Sequence, residues 1–149
     1  MYRLYFNGVS KGILNNNGHS GCGGIITDSK SHIYKKTNII CSYKKYLGME
    51  NTNYAEFMGL FYGLKYAKQL NIKNIEIFGD SKLVIGQCCN SQLLNNINSE
   101  TKNIYYKIKN IEKEFERIEY HHIYEENNLK ANKLANSSLK EYFNTIKII

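Results

Sequence analysis

The succession of strand-like and helix-like segments in this chain predicts an α/β fold, a five-stranded mixed sheet flanked by helices. Three observations carry that expectation. The opening third reads as three consecutive strands separated by turn-forming residues. A short apolar segment, Asn74 to Phe78, lies between two helical patterns and reads as a central strand. From Ser99 to about Phe115, the residues Ile104, Ile108, Ile111 and Phe115 form one stripe, the pattern of a helix with a single buried face.

Taken in order, Tyr2 to Asn7 is a strand rich in Tyr, Leu and Phe, followed by a Gly-, Ser- and Asn-rich connection through Gly12 and Gly18. Gly21 to Thr27 is the second strand, and Asp28-Ser29-Lys30 is its hairpin turn. A third, returning strand falls within Ser31 to Leu47. The loop Gly48 to Asn53 opens a helix that runs to about Leu70, with Phe57, Leu60, Phe61, Leu64 and Ala67 at helical spacing. Asn53 and Glu56 have the spacing of a capping box, and Asn71 ends the helix. Gly59 and Gly63 share a helix face and admit another backbone. After the Asn74 strand, Gly79 and Asp80 fall at its carboxyl end, and a helix spans Ser81 to about Cys89. Asn90 to Asn98 is an irregular connection to the long helix. Ile118 to Tyr124 is the fifth strand, Glu125 to Asn128 a loop, and Leu129 to about Asn144 the last helix. No repeat or linker interrupts this order, so residues 1–149 read as one domain.

A chain of 149 residues is long enough to bury its own core without staples. Its net charge of +7 favours a polyanionic partner and opposes self-association, so a monomer is expected. The four cysteines, Cys22, Cys41, Cys88 and Cys89, match neither a disulfide framework nor metal-finger spacing. Reduced thiols are the simpler reading, and they imply an intracellular protein, cytoplasmic or nuclear. No signal peptide and no membrane-length apolar run is visible, so no membrane partner is expected.

Five stretches give the order a specific meaning. They are Tyr5-Phe6-Asn7-Gly8-Val9-Ser10, Gly21-Cys22-Gly23-Gly24, Tyr54-Ala55-Glu56, Gly79-Asp80-Ser81-Lys82-Leu83-Val84, and the run Glu125 to Asn136 with its core Leu129-Lys130-Ala131-Asn132-Lys133-Leu134-Ala135. In these motifs and their order the chain resembles the ribonuclease H family, closest to its short ribonuclease HI-like forms. The resemblance implies a ribonuclease H-like fold and a site at Asn7, Glu56, Asp80 and Asn132. In the family four acids there hold two Mg²⁺ or Mn²⁺ ions for hydrolysis of the RNA strand of an RNA/DNA hybrid. Here only Glu56 and Asp80 are acids.

That departure is physically severe. Two dications about 4 Å apart repel by roughly 16 kcal/mol at an effective dielectric near 20, before ligands offset it. Asn keeps the shape of Asp and one carbonyl oxygen but loses the negative charge that hard cations select. Glu56 and Asp80 therefore read as ligands for at most one weakly held Mg²⁺ or Mn²⁺ ion. Each also has an ordinary reading, Glu56 in its capping box and Asp80 as the N-cap of the Ser81 helix. Asn7 can bond to loop backbone, and Asn132 can face solvent. Glu125 or Glu126 is the candidate replacement acid. His121 and His122 alternate across a strand, and His19 lies in the Gly-rich connection, so none reads as a general base.

Binding a hybrid needs less than cutting it. By the resemblance, Gly8, Ser10, Gly12, Asn53 and Asn128 offer main-chain and small polar groups for RNA backbone and 2′-hydroxyls. Ser81 and Lys82 at a helix start suit a phosphate, with Lys102, Lys107 and Lys109 as a basic flank. The expected function is hybrid or structured nucleic-acid binding with hydrolysis lost or impaired. The alternatives are an active metal-dependent ribonuclease H and a structural or protein-binding remnant of the fold.

Overall fold

The computed structural model describes residues 2–14, 17–28, 38–90 and 97–147. Five strands, β1 (Tyr2–Leu14), β2 (Asn17–Asp28), β3 (Asn38–Glu50), β4 (Asn74–Gly79) and β5 (Arg117–His122), form one sheet in the order β3-β2-β1-β4-β5. The first three are antiparallel neighbours, whereas β4 runs parallel to both β1 and β5. The helices are α1 (Thr52–Gln69), α2 (Lys82–Cys89), α3 (Ser99–Glu112) and α4 (Leu129–Lys147). The five-stranded mixed sheet flanked by helices is the predicted architecture.

Strand alternation divides the sheet into two faces. Leu4, Phe6, Ile75 and Ile77 point into the main core, where they join Phe57, Leu60 and Leu64 of α1 and Ile104 and Ile108 of α3. On the opposite face α4 packs across β2, β1 and β3. Gly23 permits that approach, because a Cβ there would lie 2.6 Å from the backbone nitrogen of Ala135.

Several boundaries differ from the sequence expectation. The Gly-rich segment after Asn7 is not an irregular connection: β1 and β2 continue as a paired ribbon, with Ser10 opposite Ser20 and Lys11 opposite His19. Polar residues serve there because backbone pairing is joined by side-chain contacts: Ser10 and Ser20 donate to Glu50 O and Gly48 O, and His19 packs against Tyr46, Tyr142 and Phe143. The strand expected from Ser31 is described only from Asn38, and it continues to Glu50. The rest of that expectation, and the Ser29-Lys30 turn, lie outside the described residues, as does most of the Asn90–Asn98 connection.

The N-cap of α1 is Asn51, whose side chain accepts from Tyr54 N at 2.8 Å. Asn53 is already inside the helix, so the Asn53–Glu56 capping box does not form. Asn71 follows the helix with φ +59°, the left-handed conformation that ends it. α3 stops at Glu112, short of Phe115, although Phe115 still packs against the core. α4 runs past Asn144 to Lys147. No helix among the described residues is long and apolar enough to cross a membrane.

Candidate functional site

Asn7 and Asp80 meet because β1 and β4 are parallel neighbours in register, Tyr5 opposite Phe78, and both chains emerge at the same end. Glu56 is brought there from the second turn of α1. Gly8 makes this possible: a Cβ would sit 2.2 Å from the Glu56 backbone nitrogen, so only glycine lets the helix close on the strand. The Gly8 amide then donates to Glu56 Oε1 at 3.0 Å. Glu56 is therefore tied to β1 rather than to its own helix end.

These residues line an open cleft of about 490 Å³, together with Ser10, Lys11, Thr52, Glu125, Asn132 and Asn136. All four positions expected from the sequence thus face one space. Within it, Asn7 Nδ2 donates to Asp80 Oδ2 at 2.8 Å, and Asn128 Nδ2 reaches the same oxygen at 3.3 Å. Asn128 also donates to Phe6 O at 2.9 Å. Asn132 Oδ1 accepts from Asn136 Nδ2 at 3.1 Å.

Burial dominates the electrostatics of Glu56. It pushes the carboxyl from its ordinary 4.5 to about 8, against the Gly8 amide, which lowers it; the nearby Asp80 charge raises it further. Glu56 Oε2 and Asn136 Oδ1 are sealed from solvent without a hydrogen-bond partner. Asn128 Oδ1, on the residue that reaches Asp80, is likewise sealed and unpartnered, and such oxygens suit a donor or a single cation. The four positions expected from the sequence hold two carboxylates, which matches one hard divalent ion far better than two.

A family model described as Reverse transcriptase-like matches residues 7–138, from the candidate position Asn7 into α4. The chain belongs to the reverse transcriptase-like family. Ribonuclease H1 from the halophilic archaeon Halobacterium salinarum NRC-1 superposes with TM-score 0.80 at 23% identity, over 94% of this chain and 98% of that one. The N-terminal ribonuclease H domain of a Mycobacterium tuberculosis protein, solved as a fusion with maltose-binding protein, gives 0.82 at 24%, over 97% of each. LC11-RNase H1, solved in complex with an RNA/DNA hybrid, gives 0.79 at 24%, over 96% of this chain and 99% of that one. No match came from curated protein sequences. At these identities the fold is what is shared, and it is the ribonuclease H fold expected from the motifs.

Within that family fold, the other candidate residues separate. Gly8 is buried under α1, and Ser10 Oγ donates to Glu50 O at 2.8 Å. Gly12 lies on the β1–β2 ribbon with φ +73°. Asn53 is in the first turn of α1. Ser81 is the N-cap of α2, accepting from Val84 N at 3.2 Å, which leaves Asp80 free of that duty. Lys82 is exposed in the first turn of α2. Asn128 is buried, and its amide is directed at Asp80 instead of at the surface. That role was missed because a polar residue before a helix reads first as a cap or a loop contact.

Glu125 lines the cleft, whereas Glu126 lines a separate pocket with Tyr5 and Leu129. Of the proposed basic flank, Lys109 is engaged by Cys88 O and Glu112 and lies over the Tyr105 and Tyr120 rings. His121 stacks on Phe78, and His122 is exposed beside Tyr124.

Proposed function

We propose that this chain binds RNA/DNA hybrid, or a related structured nucleic acid, at the cleft between Asn7, Glu56, Asp80 and Asn132, with two-metal hydrolysis lost. The hydrogen bond from Asn7 Nδ2 to Asp80 Oδ2 carries this reading. Where the ribonuclease H family has an acid that shares ions with this position, an uncharged donor closes directly on the carboxylate. Asn128 adds a second donor to the same oxygen. Asp80 is thereby held by two amide donors, and two acids in place of four leave little to offset a pair of dications.

One Mg²⁺ or Mn²⁺ ion remains compatible with the residues present, held by Asp80 and by Glu56, whose Oε2 lacks a partner. Such an ion supplies positive charge to a phosphate. The rest of the binding falls to the chain itself. Lys11 on the cleft wall and Lys82 at the start of α2 offer phosphate contacts, and Gly12, Asn53 and Ser81 are the further small or polar candidates. LC11-RNase H1 was solved with this class of ligand, and the shared fold makes a hybrid the first ligand to test.

Glu125 supports a second reading, an active hydrolase, since it brings a third carboxylate to the cleft wall. One experiment separates the cases. A labelled hybrid is incubated with the parent and with the Asn7→Asp plus Asn132→Asp variant, in Mg²⁺ and in Mn²⁺. The expected result is binding without cleavage by the parent and cleavage by the doubly substituted form. Parent cleavage that disappears in Glu125→Gln establishes the second reading. Absence of salt-sensitive binding in both proteins overturns nucleic-acid recognition and leaves a structural role for the fold.

A further inference from the structure

The face of β4 and β5 that α4 leaves uncovered carries a second, separate group of ligand-type side chains. In register across the strands, Arg3, Glu76 and Glu119 form one rung, and Tyr5, Phe78 and His121 form the next. His121 Nε2 lies 3.3 Å from Glu76 Oε2 and 3.6 Å from Glu119 Oε2. The three donor atoms are mutually within 4.8 Å. Donors in a tetrahedral zinc shell, with bonds of about 2.0–2.1 Å, are separated by about 3.3 Å.

The surroundings orient this triad. Arg3 Nε lies 3.7 Å from Glu76 Oε1, and Arg117 pairs with Glu119 Oε1. Arg117 thus holds the outer oxygen of Glu119, while Arg3 lies within ion-pair range of Glu76 without hydrogen-bonding it through Nε. Both carboxylates keep Oε2 toward the imidazole, and Arg117 orients its ligand as a neighbour does in a metal site. Phe78 stacks on the His121 ring, centroids 5.0 Å apart and planes 22° apart, and fixes its direction. His121 Nε2 is itself sealed from solvent and makes no hydrogen bond of acceptable geometry to either carboxylate. A lone pair facing two carboxylate oxygens is repulsive unless a cation or a proton lies between them.

We propose that Glu76, Glu119 and His121 form a divalent-cation site of the Zn²⁺ class, supplying three protein ligands of a four-coordinate shell. An imidazole nitrogen selects Zn²⁺ and its neighbours over Mg²⁺, which prefers six oxygens. Four residues along β4 separate Glu76 from Asp80, ~13 Å at strand spacing, so the site is distinct from the cleft. Its consequence is structural: the ion ties the edge strand β5 to β4.

The test uses the full chain with the Cys89→Ser substitution, which removes the exposed thiol. Zn²⁺ binding is followed by calorimetry and by the thermal unfolding midpoint. One equivalent is expected to bind at this triad, apart from any ion held at the cleft, and to raise the midpoint. His121→Gln and Glu119→Gln are expected to weaken that binding by roughly tenfold or more, and Asp80→Asn to leave it unchanged. Glu119→Gln keeps the test decisive if the histidine variant fails to fold. Equal Zn²⁺ affinity in the parent and Glu119→Gln proteins overturns the site. So does binding that vanishes in Asp80→Asn, which would assign the ion to the cleft.

Discussion

At the scale of single residues, Glu56 shows how burial and partnership compete. Its Oε1 has the Gly8 amide, but its Oε2 has no partner, and removal from water outweighs the one hydrogen bond. The folded carboxyl therefore titrates near 8 against an ordinary 4.5. Below about pH 4.5 the group is protonated in both states, and its burial carries no ionisation penalty. Between about 4.5 and 8 the unfolded chain releases a proton that the folded protein keeps. Stability is expected to fall across that window by up to ~1.4 kcal/mol per pH unit from this group. The loss levels off above it. Glu56→Gln keeps an acceptor for Gly8 and has no charge to release. Urea unfolding at several pH values, in metal-free buffer, should show the parent losing stability with rising pH relative to the variant. Parallel curves for the two proteins would show that Glu56 is ionised or solvated in the fold.

At the scale of elements, the junction of β1 with α1 is where local signals and tertiary structure part. Gly8→Ala places a methyl group against the Ala55–Glu56 backbone, which is not the movable end of a side chain. The expected cost is about 3 kcal/mol, read as a shift in the urea midpoint. At the helix start, Asn51→Ala should cost about 1 kcal/mol and Asn53→Ala much less, because only Asn51 caps. The capping-box spacing misled for a physical reason. Asn51 and Asn53 are both chemically suitable caps, and the choice belongs to the backbone leaving β3. Periodicity, by contrast, made α1 and α3 legible, since Leu60, Leu64, Ile104 and Ile108 must reach one core. The Gly-rich ribbon was not legible because its extended form depends on pairing between strands. The same distinction holds at the site. Motif order brought Asn7, Glu56, Asp80 and Asn132 to one cleft, whereas the donor role of Asn128 depends on a fold-level contact with a residue 48 positions away.

At the scale of the molecule, one sheet face carries three successive rungs: Arg3–Glu76–Glu119, then Tyr5–Phe78–His121, then Asn7 with Asp80. Charge on the first rung is balanced locally, and the last rung is neutralised further by its amides. The net charge of +7 is therefore carried mainly by lysines outside these rungs, and the proposed nucleic-acid binding would draw on them. Binding through such contacts releases counterions, so its affinity must fall with salt. With about four phosphate contacts, hybrid affinity should drop roughly 100-fold between 50 and 200 mM salt. Lys82→Ala should weaken binding at every sequence and reduce the log–log slope by about 1, as the loss of one contact requires. Because Asn7 and Asn128 already satisfy Asp80, chelation of divalent ions should leave that affinity nearly unchanged. Fluorescence anisotropy with a labelled hybrid, with and without EDTA, measures both effects. A flat salt response would remove phosphate contacts from the recognition surface. Loss of binding on chelation would instead mean that an ion, and not the pair of amides, organises Asp80 when the nucleic acid is bound.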